Sequence, residues 1–319
     1  MKFLLLGNWK QNAGPCNVNR SLVENSDGTM RFLTWNRFSR IERLFKCIIS
    51  NPIVISGGAT NSEINIFKLL HKKIVYIFHG YYKYENEINN LNLSNKVLNN
   101  EAELLRIANI ILPVSQNYSE WVKLHLPQYA HKIYFLNNGI SICQREKTTK
   151  IPYSIAISGG NRPIKNASLV CEAVSKIVEQ GYNCKVYVFG RFYKGGDDLS
   201  KYSFVIKEGH LNKEQYYNEL DKISLFVVNS ELESFGLVVA DAINCNCSLL
   251  VSHNVGALSI ISTTEDDVIF DTHNINELST KILYLLQNSN SDRIYKSIDI
   301  QEVSEKNAFL KLKKIVNET

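Results

Sequence analysis

The feature that most narrows what this chain can fold into is a repeated punctuation: a short apolar run rich in β-branched residues, mostly ending in Gly, Ser or Asn, then a helical segment. KFLLLG opens the series, followed by PIVISGG at 52–58, KIVYIFHG at 73–80, NIILPVS at 109–115 and KIYFLNNG at 132–139. It then starts again with YSIAISGG at 153–160, CKVYVFG at 184–190, SLFVVNS at 224–230 and SLLVSHN at 248–254. Strands that alternate with helices build parallel sheets with helices on both faces, so the expected class is α/β with two sheets in succession. In such sheets ligands bind beside the loops at the carboxyl ends of the strands, and the two sets of loops are expected to face a shared cleft.

Length agrees with two domains, since 319 residues is too long for one ordinary core. QREKTTKIP, at 144–152, is polar, ends in Pro and reads as the linker. No apolar run approaches the roughly 18 residues that span a bilayer, and the apolar start MKFLLLG is too short for a signal peptide, so a cytoplasmic protein is expected. The seven cysteines are scattered without CxxC spacing, which argues for reduced core thiols and against a disulfide framework or a zinc site. Residues 1–150 carry 19 Lys/Arg and 10 Asp/Glu, a charge of +9, while the remainder carries −4. A basic first half suggests an anionic partner, either a phospholipid surface or a diphosphate-linked acceptor; a solvated basic surface is the plain alternative. Neither GxGxxG nor GxxxxGK[ST] occurs, which weighs against dinucleotide and P-loop chemistry.

Within the second series, NSELESFGLVVADA at 229–242 places Glu233 in a polar turn ahead of a small-residue helix. With Ser234 as N-cap and the helix starting near Gly236, the backbone N–H groups of Phe235, Gly236 and Leu237 point outward, where an anion such as a diphosphate fits. Gly236 permits close backbone approach, and Glu233 can accept hydrogen bonds from sugar hydroxyls. Asp241 follows about two turns on, between Ala240 and Ala242, and a carboxylate there suits the paired hydroxyls of a ribose. The plain alternative is an ordinary strand-to-helix turn with a loop acid and a solvent-facing helix acid.

This segment resembles the donor-site region of glycosyltransferase family 4, retaining enzymes of the GT-B fold found among bacterial polysaccharide glycosyltransferases. Other segments follow in the same order. ISGGNRPIKNA at 157–167 resembles that family's Gly-rich turn and diphosphate-binding basic residues, here Lys165 and, at a tighter spacing, Arg162. VIKEGHL at 205–211 resembles the strand and loop that receive the nucleotide base, with Gly209, His210 and Leu211 at the contact. FLNNGIS at 135–141 resembles the turn that closes the first domain, and IFHGYY at 77–82 a strand end whose His79 faces the reaction centre. NAGPCNVNRSL at 12–22 resembles the family's first loop, in which Gly14 admits a phosphate. The chain departs from the pattern at Asp241, where Glu is usual, and at NCNCSLL, where the usual turn carries Gly and Pro and Asn246 can supply the left-handed cap.

The resemblance implies two Rossmann-like domains facing a central cleft: an acceptor domain over 1–148, a nucleotide-sugar domain over 149–295, and a terminal helix over 296–319 packing back on the first. It implies a nucleoside diphosphate sugar as donor, a saccharide or lipid-linked saccharide as acceptor, and Glu233, Lys165 and His79 at the reaction, with Ser234 and its neighbours holding the donor. No cofactor and no metal are expected, because no Asp-x-Asp and no His/Cys cluster with ligand spacing is present. A GT-B epimerase and a non-catalytic partner subunit share the fold and stay open as alternatives. MRFLTWNRFSRIERLFKCIIS at 30–50 interleaves Arg31, Arg37, Arg40, Arg43 and Lys46 with Phe32, Trp35, Phe38, Leu44 and Phe45. It reads as a helix with its apolar side on the first sheet, although such mixtures also lie at membrane interfaces. No nucleic-acid-binding motif accompanies it, so no nucleic-acid partner is expected.

Overall fold

The computed structural model describes residues 2–8, 14–34 and 40–318. The chain forms two compact units, one of Met1–Ser141 with Ile300–Thr319 and one of Ile142–Asp299. Among the described residues the first unit holds β1 (Phe3–Gly7), α1 (Gly14–Glu24), β2 (Met30–Thr34), α2 (Arg40–Ile49), β3 (Ile53–Ser56), α3 (Asn61–Leu69), β4 (Ile74–Phe78), α4 (Tyr82–Asn89), α5 (Asn95–Ile107), β5 (Ile110–Pro113) and α6 (Gln116–His125). The second holds β6 (Ile151–Ser158), α7 (Ala167–Glu179), β7 (Lys185–Phe189), β8 (Val205–Gly209), α8 (Lys213–Leu220), β9 (Ile223–Val228), α9 (Leu237–Asn244), β10 (Ser248–Ser252), β11 (Val268–Ile269), α10 (Ile275–Gln287) and α11 (Ser291–Lys296). The last helix, α12 (Glu305–Glu318), returns to the first unit, where it packs on α1 and Lys313 pairs with Asp27.

The first sheet runs β2-β1-β3-β4-β5 and the second β11-β10-β9-β6-β7-β8, with every pairing parallel. In the second sheet alternate strand residues Ile155, Ile157, Val186, Val188, Leu225, Val227 and Leu250 meet Val170, Val174 and Ile177 of α7 and Leu278, Ile282 and Leu285 of α10 in one buried cluster. The intervening residues Ala156, Phe226, Leu249 and Val251 are buried as well. Burial on both faces is why these strands read as continuous apolar runs. The chain builds β6, β7 and β8 outward in one direction, then crosses back to place β9 on the other side of β6. The loops that follow β6 and β9 therefore leave the sheet at a topological switch point.

Four readings of the sequence change. Residues 30–34 are strand β2, paired with β1, rather than the start of a helix; Trp35, Arg37 and Phe38 lie outside the described residues. The helix that follows, α2, turns Arg43 and Cys47 inward and Ile41, Phe45, Ile48 and Ile49 outward, the reverse of the expected packing. KIYFLNNG is not a ladder strand. It runs beside β5 as an extended segment with one bridge, Ile111 to Ile133, and main-chain bonds from Tyr134, Leu136 and Asn138. The expected linker, 144–152, is fastened to the second unit: Arg145 pairs with Asp221 at 2.8 Å, and Lys150 Nζ donates to the carbonyls of Asp221 and Cys245 at 2.9 and 2.5 Å. Those bonds draw the second unit's start back to residue 142, so the expected boundary at 148 falls within it. All seven cysteines are free; Cys143 is exposed and the others are buried.

Gly139 shows how closely the first unit closes on its terminal helix. A Cβ at this position would stand 2.5 Å from Cα of Glu305, and Ile140 N–H bonds to the Val303 carbonyl at 2.9 Å. Gly139→Ala forces the start of α12 to move, and chemical denaturation should show a loss of about 1–3 kcal/mol.

Candidate active site

The turn after β6 is built by glycines that have no room for side chains. Gly160, at φ +65°, would place a Cβ against the main chain of Arg191, and a Cβ on Gly190 would stand 2.7 Å from the Gly160 nitrogen. The ends of β6 and β7 thus meet backbone to backbone. Asn161 ties the same turn to the loop after β7, donating to the Tyr193 and Asp197 carbonyls at 3.0 and 3.2 Å and accepting from Tyr193 N–H at 2.7 Å. Pro163–Lys165 then forms a single 3-10 turn, and Asn166 passes through the left-handed region before α7. Gly159 leaves space for the stem of Lys165, which would lie 2.8 Å from a Cβ there.

Lys165 reaches across the switch point and forms an ion pair with Glu233; their side chains are 12% and 21% exposed. Glu233 is held by main-chain bonds on both sides, N–H to the Asn254 carbonyl at 3.1 Å and carbonyl from Gly256 N–H at 2.9 Å, while the Phe235 carbonyl accepts from Ala257 N–H at 2.6 Å. Two strand-end loops therefore clamp the segment that carries the carboxylate. Such main-chain fixing preorganises a side chain before any ligand arrives.

Ser234 is not the N-cap. The chain turns through φ +91° at Gly236, a conformation open to glycine, and Gly236 is the capping residue of α9 without a side-chain bond. α9 begins at Leu237, directly after Gly236, which lies against the Glu233 side chain; Val239 N–H is bonded to the Gly236 carbonyl at 3.0 Å, and the N–H groups of Leu237 and Val238 ahead of it have no intrahelical acceptors. Phe235 sends its ring into the core, 2% exposed. Asn166 stands at the N-cap of α7 but does not cap it. Its side chain donates to Glu231 at 2.5 Å, and Asp197 accepts from Ser168 N–H at 2.9 Å instead.

Asp241 is half-buried and accepts a 2.6 Å hydrogen bond from the Tyr217 hydroxyl of α8. Burial raises its carboxyl pKa, opposed by the Tyr217 hydroxyl and the Lys213 charge. This bond connects Asp241 to the helix that follows Gly209, half-buried Leu211 and exposed His210; Asn212 caps that helix. Arg162 turns back on its own loop, with Nε donating to the Gly159 carbonyl at 3.4 Å.

Tyr217 and Glu231 are members of the site that motif reading passes over. Glu231 accepts from Asn166 and from Thr272 Oγ1 at 3.0 Å, so it braces the turn that presents Lys165. Its signal was the alternation Glu-Leu-Glu, since residues two apart in extended backbone face the same side and Leu232 between them is buried.

In the first unit His79 follows β4, half-buried, with Nε2 2.8 Å from Oγ of Ser56 at the end of β3. Burial lowers the imidazole pKa to about 4, so His79 is neutral at physiological pH. Gly14 is the first residue of α1; the loop before it, 9–13, lies outside the described residues. The lowered pKa carries a sign for stability. Between about pH 6.5 and 4 the unfolded chain binds the His79 proton more readily than the folded chain, so its stabilising contribution is present above that window and lost as pH falls through it. Denaturation at pH 7 and pH 5 should show His79→Gln losing about 1–2 kcal/mol less than the parent over that interval.

Residues 144–299 match the family model of glycosyl transferases group 1. No curated protein matches the chain. Among solved structures, the chain is similar to Anabaena Alr3699/HepE in complex with UDP and glucose, at TM-score 0.72 and 13% identity over 100% of both chains. It is similar to the lipopolysaccharide outer core galactosyltransferase WaaB, at TM-score 0.66 and 12% identity over 100% of this chain and 99% of that one. It is also similar to S. aureus TarM, at TM-score 0.67 and 16% identity over 87% of this chain and 57% of that one. At these identities the likeness establishes the fold: the two-sheet α/β architecture is that of GT-B glycosyltransferases. The family match spans nearly the whole second unit, Ile142–Asp299.

Proposed function

We propose that the protein transfers a sugar, with retention at the anomeric carbon, from a nucleoside diphosphate sugar to a saccharide or lipid-linked saccharide acceptor in glycoconjugate synthesis. The observation that carries this reading is the Lys165–Glu233 ion pair beside the open N-terminus of α9 at the switch point of the second sheet. Each partner neutralises the other in the free protein. A donor substitutes better partners for both: its diphosphate takes Lys165 and the α9 amides, and its sugar hydroxyls take Glu233.

Lys165 and the helix N-terminus face the charge that grows on the diphosphate as the glycosidic bond breaks, so they stabilise the leaving group. Glu233 holds the sugar, and Asp241, steadied by Tyr217, accepts from the ribose. Gly209, His210 and Leu211 receive the base, and Arg162 swings from the Gly159 carbonyl to the phosphates. His79, neutral and a donor or acceptor at either ring nitrogen, serves hydrogen bonding rather than charge. No protein nucleophile is assigned. We propose a transfer without a resident metal, with Lys165 and the helix dipole in the electrostatic role a divalent ion takes elsewhere; among the described residues no His, Cys, Asp and Glu side chains group to hold one.

UDP, present with the Anabaena protein, is the first nucleotide to test. At about ten times its Kd it should raise the Tm by about 3 °C or more in differential scanning fluorimetry. Glu233→Gln and Lys165→Ala should each lower kcat about 100- to 1,000-fold, with circular dichroism confirming a folded chain. Unchanged turnover in a folded Glu233→Gln variant removes Glu233 from the site. Saturating EDTA should leave donor hydrolysis and transfer unchanged; loss of activity restored by Mg²⁺ or Mn²⁺ would assign the diphosphate to a metal.

A further inference from the structure

We propose that Ser56 fixes the single proton of neutral His79 on Nδ1, so that the ring meets substrate as a hydrogen-bond donor and cannot serve as a base. This rests on the transfer reading, in which His79 serves by hydrogen bonding, and names the ring nitrogen that does so. The contact follows from strand register. In the parallel pair of β3 and β4, Ser56 stands opposite Ile77. His79 comes two residues after Ile77, where β4 ends, and side chains two apart along a strand share a face, so Ser56 and His79 emerge on the same side of the sheet. Oγ and Nε2 meet at 2.8 Å. Glycine follows each of them, Gly57 and Gly58 after Ser56 and Gly80 after His79, so the first positions of both loops put no side chain over the pair.

The direction of the bond follows from burial. Ser56 is 4% exposed, and among the described residues its hydroxyl has one partner, Nε2 of His79. If Nε2–H donated to Ser56, the buried hydroxyl proton would be left without an acceptor, an expensive state. The Ser56 hydroxyl therefore donates and the Nε2 lone pair accepts. A neutral imidazole has one proton, and the bond at one nitrogen sets the state of the other, so that proton is on Nδ1. The ring stays neutral because burial alone moves its pKa, and no acid among the described residues opposes that shift. Nδ1 has no hydrogen-bond partner among the described residues, which makes it the available atom. Nε2, committed to Ser56, takes no proton from an attacking hydroxyl unless that bond breaks. Nδ1–H only donates, and its counterpart is an accepting oxygen of the substrate.

The test begins without substrate. The full chain, labelled with nitrogen-15 in histidine, is read by long-range proton–nitrogen correlation at pH 7, and His79 is picked out among the seven histidines by the signals lost in His79→Gln. A protonated Nδ1 and a lone-pair Nε2 are expected. Ser56→Ala should move the pattern toward Nε2–H, the tautomer histidine favours in water, and Ser56→Thr, which keeps the hydroxyl, should restore Nδ1–H. Kinetics read the consequence. An Asn amide nitrogen lies where Nδ1 lies and a Gln amide nitrogen where Nε2 lies, so His79→Asn should retain a kcat about tenfold above that of His79→Gln. Ser56→Ala should lower kcat roughly tenfold with the Kd for UDP unchanged. Nε2–H in the wild type overturns the proposal. So does an unaltered His79 pattern or an unaltered kcat in folded Ser56→Ala, or a higher turnover in His79→Gln than in His79→Asn. A wild type that shows Nδ1–H but turns over no donor supports the tautomer and overturns the transfer reading instead.

Discussion

Everything near Lys165 and Glu233 depends on one strand pairing, that of β6 with β9. Chain order reverses there, so the two loops diverge instead of running on in the same direction, and the space between them belongs to neither strand's crossover helix. The cation arrives from one loop and the carboxylate from the other. Because both loops are pinned by main-chain bonds, at Asn161 on one side and at Asn254 and Gly256 on the other, the pair forms without ordering a flexible segment. Small residues set its geometry: Gly159 makes way for the Lys165 stem, and Gly236 lies against the Glu233 side chain, where a Cβ would come within 3.2 Å of its Cγ.

The same logic extends outward. Glu231 fixes the turn bearing Lys165, and Tyr217 fixes Asp241, so each charged group has a neutral or oppositely charged neighbour that limits its rotamers. Half-burial strengthens these interactions over their surface equivalents while leaving the groups reachable. On the first sheet, Ser56 and His79 repeat the arrangement with uncharged partners.

The fold was legible because doubly buried parallel strands need apolar runs, and nine of those read from the sequence mark either a strand or, at 132–139, an extended segment against β5. β2 was not, because MRFLT mixes Arg31 with apolar residues at a sheet edge and passes into a basic-aromatic stretch that reads as one piece. β11 has only two residues, too few for any periodic signal. Lys165 and Glu233 were singled out as candidates from their motifs, but their mutual contact was not foreseen, since 68 positions separate them. Ser234 was misplaced by cap statistics that give way when a glycine can turn left-handed. The outward apolar face of α2 was hidden because periodicity finds a stripe without saying which side the sheet takes. Here the Arg43–Glu63 pair decides it.

The thiols give the chain a chemical asymmetry. Burial pushes the pKa of Cys47, Cys171 and Cys247 up to about 12, that of Cys184 to about 11 and that of Cys245 beyond, so these sulfurs hold their protons and resist alkylation. Cys143 is exposed and sits where the chain passes into the second unit, its N–H bonded to Asn244 Oδ1 at 2.8 Å. A maleimide dye offered to the native protein will therefore mark that passage first, which makes the wild-type chain its own site-labelled reporter for the end of α9.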